Sequence, residues 1–289
     1  MFARAPSIAT VATLLVLASA SRVTADIAVP SQPHASLNLE LQSLRDNITL
    51  YKGDPQHLLL MKVRPDRFRP RVTYTGQSDA VLQIRDLYLF ENPQASSQTA
   101  AERDEAKDGP LAETWEIELC PSGPTKFSLQ CERGEGVFDF TDLEVQSVHI
   151  QADGTRLDVD FSDQNPIVLE DFTAHVPTGS FRFQHMINAR AKEITLYVPG
   201  STCQFEVTGK EFEGESAINL QGEPAEMVLV VSRKVGVRVT GPAATTAHFE
   251  APHMTHTGDD WVSQGYEAAK CRVRITFAAE VPKLHVTWK

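Results

Sequence analysis

The side chains best suited to metal chemistry lie in one short segment, HFEAPHMTHTGDD, as His248, His253 and His256 with Asp259 and Asp260 behind them. Neutral imidazoles and carboxylates are good zinc ligands, and three with an open fourth position would activate water for hydrolysis. Spacings of five and three residues match neither a helix face nor a zinc signature, and Pro252 interrupts the run. Polar loop histidines are the simpler reading, so no metal is expected there, and a metal-dependent hydrolase centred on the three is the alternative. Two carboxylate pairs, Asp158 with Asp160 and Glu211 with Glu213, are spaced for one face of a strand, roughly 7 Å apart, as a glycosidase acid and base would be. Both pairs also fit a solvated charged face, the preferred reading. No Gly-x-Ser-x-Gly elbow, P-loop or dinucleotide fingerprint occurs. Trp261 and Tyr266, beside the histidine-rich turn, could stack on a sugar ring or cap the end of the fold, and the cap is preferred. No catalytic residue and no cofactor are expected.

Four cysteines, Cys120, Cys131, Cys203 and Cys271, suit an oxidising compartment and allow three pairings. Cys120 and Cys131 end two short strand-like runs around a Pro-Ser-Gly-Pro turn, so a local bridge is expected there, leaving Cys203 with Cys271. The absence of a Cys-x-x-Cys pair speaks against redox chemistry or a zinc ribbon. The net charge of −11 speaks against nucleic acid or an anionic membrane as partner. The exception is the cluster Lys62, Arg64, Arg67, Arg69 and Arg71, which alternates with apolar residues and reads as a solvated strand edge.

At the N-terminus, Arg4, an apolar run from Ile8 to Ala20 and the small residues Val23-Thr24-Ala25 have the layout of a secretory signal peptide. The run is too short to span a bilayer, and no other stretch approaches that length, so no membrane insertion is expected. The expected organisation is a signal peptide over 1–25 and one domain over 26–289, exported to the periplasm or beyond.

Apolar residues then alternate with polar ones almost throughout, as in Leu37, Leu39 and Leu41, in Trp115, Ile117 and Leu119, and in Val273, Ile275 and Phe277. Period-two alternation marks strands with one buried face, and no segment keeps a helical period. The chain is expected to be all-β, with Trp115, Phe127, Phe138, Phe140, Phe161, Phe181, Phe183 and Phe205 in the core. One stretch, 91–112, is polar and lacks periodicity, and is expected to be a flexible insertion. From Cys131 a strand–glycine–strand unit recurs, with Gly134, Gly154, Gly179, Gly200 and Gly222 spaced by 20, 25, 21 and 22 residues. A fixed period of this size predicts units stacked so that each buries its apolar face against its neighbours. A tight corner between two strands would use the glycines for positive φ.

The runs FDFTDLEVQSVHIQADGTRLDVDF, PIVLEDFTAHVPTGSFRF, KEITLYVPGSTCQFEVTG and AEMVLVVSRKVGVRVTG resemble the toast-rack family, extracytoplasmic β-stacks related to LiaF-type proteins of bacterial envelope stress responses. The segment Val235-Gly236-Val237-Arg238-Val239 resembles the family's closing segment, and LLLMKVRPDRFRPRVTYTG from Leu58 and WVSQGYEAAKCRVRITFAAEVPKLHV from Trp261 resemble its first and last rungs. The family's Gly-Ala-Gly is reduced here to about one glycine per unit. The resemblance implies a single β-solenoid-like stack of about 20-residue rungs and an envelope location, and it carries no catalytic residues. It points to a non-catalytic binding or scaffold module, linked to envelope stress sensing, whose partner is an envelope protein or a cell-wall component. A structural, adhesin-like surface protein is a further alternative.

Overall fold

The computed structural model describes residues 25–64, 70–76, 78–86, 113–210, 212–242 and 254–289. Across them the chain is all-β and forms two large, mostly parallel sheets that do not close into a barrel. The first sheet runs from edge to edge through β1 (Ala25–Pro30), β4 (His57–Arg64), β7 (Thr114–Leu119), β3 (Asn47–Lys52) and β9 (Glu135–Asp139). It continues through β11 (Thr155–Asp160), β13 (Gly179–Gln184), β15 (Thr202–Val207), β17 (Glu226–Val231) and β22 (Leu284–Trp288). The second sheet runs through β19 (Met254–Thr257), β20 (Asp260–Ser263), β18 (Gly236–Thr240), β21 (Cys271–Phe277), β16 (Gly214–Gln221) and β14 (Glu193–Tyr197). Its other half is β12 (Asp171–His175), β10 (Val145–Asp153), β8 (Thr125–Glu132), β2 (Ser36–Ser43), β6 (Asp79–Arg85) and β5 (Arg71–Thr75).

From β8 to β17 the chain crosses between the sheets at every turn, and each strand from β10 to β15 pairs in parallel with the strand two earlier and the strand two later. Parallel sheets usually need helices on both faces. Here the alternating pattern allows a different solution, with the two inner faces covering each other and the outer faces left to water. In β2, for instance, Leu37, Leu39 and Leu41 are buried while Asn38, Glu40 and Gln42 face outward. Because the ladders are in register, inward residues stack in columns. One column reads Trp115, Ile48, Gly136, Leu157, Phe181, Cys203 and Met227.

Aromatic rings fill the middle of the core. Phe127 meets Phe138 and Phe140 at 5.2 and 5.1 Å between centroids, and Phe172 meets Phe183 at 4.6 Å. Phe140–Phe161 and Phe181–Phe205 contacts extend the series. Such pairs contribute about 0.5–1.5 kcal/mol each beyond the area they bury. Gly136 makes room for this packing, since a Cβ there would lie 2.5 Å from the ring of Phe138.

The corners on one side carry the recurring glycines. Gly179 has φ +112°, and a Cβ would lie 2.2 Å from the carbonyl oxygen of Thr155 in the neighbouring unit. At the first such corner the positive φ sits on Arg133 (54°) rather than on Gly134, which is glycine because a Cβ would press on the carbonyl of Asp46 at 2.2 Å. The opposite corners are bracketed by buried amides. Asn188 donates to the Phe161 carbonyl at 2.7 Å and accepts from the Lys210 N–H at 2.7 Å, and Asn165 holds both backbone groups of Val145.

Two expectations change. The basic cluster is not a strand edge at Lys62, because β4 is flanked by β1 and β7, and the Lys62 ammonium lies 3.1 Å from Glu118 and 3.6 Å from Glu116. Arg67 and Arg69 lie outside the described residues, as does the stretch 91–112. No disulfide joins the four cysteines, so neither expected bridge is present. Two of the sulfurs are taken up by the core: Cys131 lies among Ser43, Thr155 and Asp46, and Cys203 fills the column between Phe181 and Met227. Burial pushes both thiols up to about 12.

Asp46 is buried where the turn after β2 meets the start of β7. Ser43 Oγ donates to its Oδ2 at 2.7 Å, and the Glu113 N–H donates to its Oδ1 at 3.1 Å. Burial, with a smaller contribution from Asp86, raises its carboxyl to about 6. The folded state therefore binds this proton more tightly than the unfolded chain, whose carboxyl titrates near 3.8. This group's stability contribution is full below that value and is lost as pH rises through about 6.

Three outcomes are expected. Gly179→Ala should cost about 3 kcal/mol or more in urea unfolding, whereas Gly200→Ala, with 3.3 Å to its nearest neighbour and φ +73°, should cost about 1–2 kcal/mol. Asp46→Asn, which keeps an acceptor for the Glu113 N–H and turns the Ser43 contact round so that the amide donates to the hydroxyl, should flatten the fall in stability between pH 4 and 7 by about 2–3 kcal/mol. Equal pH slopes for the two proteins would show that Asp46 does not titrate in that range. Without reductant, a maleimide should label Cys120 alone in the native protein and all four cysteines in denaturant, counted by mass spectrometry. Incomplete labelling of the denatured chain would indicate a bridge.

Candidate functional site: the outer face of the second sheet

Alternation puts every second residue of β2, β8, β10, β12, β14 and β16 on the outside, and the parallel register lines those residues up in rows across the strands. One row reads Gln42, Gln130, Gln151, His175, Tyr197 and Gln221. The adjacent row reads Glu40, Ser128, His149, Thr173, Thr195 and Asn219. Between β2 and β12 these rows line an open groove of about 390 Å³, with side chains from Glu40 to His175 on its floor.

Most of the side chains along the groove are polar and uncharged. Its single carboxylate, Glu40, accepts a 2.8 Å hydrogen bond from the Gln83 amide. At the margin the His149 imidazole lies 3.4 Å from the Asp171 carboxylate, and Asn219 donates to Glu193 at 2.8 Å. At one end the rings of His175 and Tyr197 lie 4.6 Å apart at 43°, and Tyr197 is 40% exposed. The outer face of the first sheet carries the ion pairs Lys62–Glu118, Arg156–Asp158 and Arg182–Glu206. On the second sheet the two rows offer amides, hydroxyls, imidazoles and a phenol, and the ion pairs of that face, Glu215 with Arg272 and Arg274, lie farther along it on β16 and β21.

Amides and hydroxyls at regular spacing can donate and accept hydrogen bonds together, and this is binding chemistry. Among the described residues no three His, Cys, Asp or Glu side chains converge as a metal site. Of the proposed histidine cluster, His256 is exposed on β19 with its ring 5.0 Å from that of Trp261, and His248 and His253 lie outside the described residues. Asp160 is engaged by His185 at 2.7 Å and by Ser162 at 2.6 Å, and Asp158 lies 3.8 Å from Arg156. Glu213 is exposed and reaches Lys270 at 3.4 Å, while Glu211 is outside the described residues. Trp261 and Tyr266 form no open platform, because Tyr266 is buried with the Arg238 guanidinium 4.8 Å over its ring.

The polar rows were missed in the sequence, yet a signal was there. In several strands a glutamine follows an inward leucine or isoleucine near the strand end, as in Leu41-Gln42, Leu129-Gln130, Ile150-Gln151 and Leu220-Gln221. Only the register shows that most of these glutamines stand side by side.

No family model matches the chain, and no curated protein matches it in sequence. Among solved structures the chain is similar to a "putative cell adhesion protein" from Clostridium sporogenes, with a TM-score of 0.45 and 13% identity over 92% of this chain and 99% of that one. At that level the likeness carries no functional argument.

The neutral rows should tolerate substitution, since outward polar side chains at this face leave the core columns intact. Gln151→Ala and Thr173→Ala should each change stability by under about 0.5 kcal/mol in urea unfolding, and losses above about 2 kcal/mol would show that the rows are structural.

Proposed function

We propose that this chain is a non-catalytic binding module of the cell envelope, exported by its leader over 1–25, and that it binds through the polar outer face of the second sheet. The observation that supports this reading is the pair of neutral, in-register rows with a groove between β2 and β12. Regular strands are a rigid support, and a row of side chains held at fixed spacing loses little further freedom when it meets a partner. The backbone is a stack of two-strand rungs, a β-solenoid of toast-rack type as the family resemblance implies, and such stacks present long, even surfaces. A role in envelope stress sensing fits the same surface if a membrane-spanning partner reads its occupancy, because no described helix is long and apolar enough to cross a membrane.

The test is photo-crosslinking in cells, with a photoreactive residue at Gln151 in the groove or at Gln204 on the outer face of the first sheet. Specific capture at Gln151 and none at Gln204, read by mass spectrometry and by glycan staining, is the expected result. Equal capture at both positions, or capture only of abundant envelope proteins, would refute the reading.

A further inference from the structure

We propose that the occupant of the groove is a neutral glycan, lying along the rows across β8, β10 and β12 with one sugar ring over the His175–Tyr197 pair. The inference rests on the binding-module reading and adds the chemical class of the ligand.

Charge narrows the class first. A polyanion needs clustered cations, and the rows from β2 to β16 contain no lysine or arginine. A polycation needs clustered carboxylates, and the two rows hold one, Glu40, which accepts from Gln83. A peptide chain gains most from a sheet edge or from apolar pockets. The groove is the face of a sheet interior, where the backbone groups are paired along the ladders, and it is a shallow open trough with no strand edge.

Hydrogen-bonding capacity narrows it further. Each sugar hydroxyl both donates and accepts, and the primary amides of Gln42, Gln130 and Gln151 present both functions side by side. The amides repeat at the interstrand spacing of ~4.8 Å, close to the length of one pyranose ring. A polymer of repeating polar units therefore meets a repeating row of complementary groups. The aromatic end supplies what hydroxyl contacts lack. Tyr197 is a large exposed aromatic in a polar neighbourhood, braced by the His175 ring at 4.6 Å, and its free face can cover the C–H face of a sugar.

The experiment is affinity electrophoresis of the purified full chain through gels containing dextran, hydroxyethylcellulose or soluble β-glucan, with alginate and heparin as anionic counterparts. Retardation by at least one neutral polymer and by neither anionic one is expected. Tyr197→Ala and Gln151→Ala should each weaken that binding about tenfold, with unfolding curves unchanged and Gln204→Ala without effect. Preference for an anionic polymer, or neutral binding that both groove variants leave intact, overturns the proposal. Failure of every neutral polymer to retard the chain also overturns it. If crosslinking at Gln151 nevertheless captures a specific protein, the binding-module reading stands and only the ligand class falls.

Discussion

When each strand of a two-sheet protein pairs in parallel with the strand two later, a side chain's place is decided by its register and nothing else. Leu157 must sit between Gly136 and Phe181, and Phe205 must sit between Phe183 and Leu229. Interiors pack to near-crystalline density, so a column tolerates neither a void nor an excess. That constraint explains features that look unrelated in the sequence. Gly136 is small because the Phe138 ring occupies its Cβ space, and Cys203 is a column filler with a sulfur buried at 1% exposure. Asn165 and Asn188 are buried because the corners expose backbone groups that the ladders do not pair.

The two sheets also have ends, and among the described residues each is finished differently. On one side β1 and β4 continue the first sheet by antiparallel pairing and β5 does so for the second. At the far side β18, β20 and β19 carry the second sheet past β21, whereas the first sheet stops at β22. The inward residues of β22, Leu284, Val286 and Trp288, are accordingly only partly buried. Antiparallel hairpins and short final strands are the usual means of blunting an edge that would otherwise pair with another chain.

The same register that builds the core also builds the surface. Outward residues cannot scatter; they stand in rows, so small compositional choices become extended surfaces. On the first sheet the choice is acids and bases, and pairing such as Arg182 with Glu206 follows. Along the groove of the second it is glutamine, threonine, serine and histidine, with the ion pairs of Glu215 farther along the same face. Exposed charge pairs add little stability, so neither composition is required by folding.

Local chemistry was legible in the sequence. Alternation has a period of two and depends on nearest neighbours, so strands such as β2, β11 and β21 could be read from Leu37–Leu41, Leu157–Phe161 and Val273–Phe277, as could the buried phenylalanines. Gly154, Gly179, Gly200 and Gly222 could be read for the same reason, since a tight corner is a local demand on φ, whereas Gly134 answers to the distant Asp46 carbonyl. Pairing is not local, and only the tertiary structure decided it. The entry of β21 between β16 and β18, the inner position of β4 and the free state of the cysteines depend on contacts between residues far apart in the chain. The groove belongs to that second group. The glutamines, the histidines and Tyr197 are individually unremarkable surface residues, and they become a site only because the ladder sets them in one row.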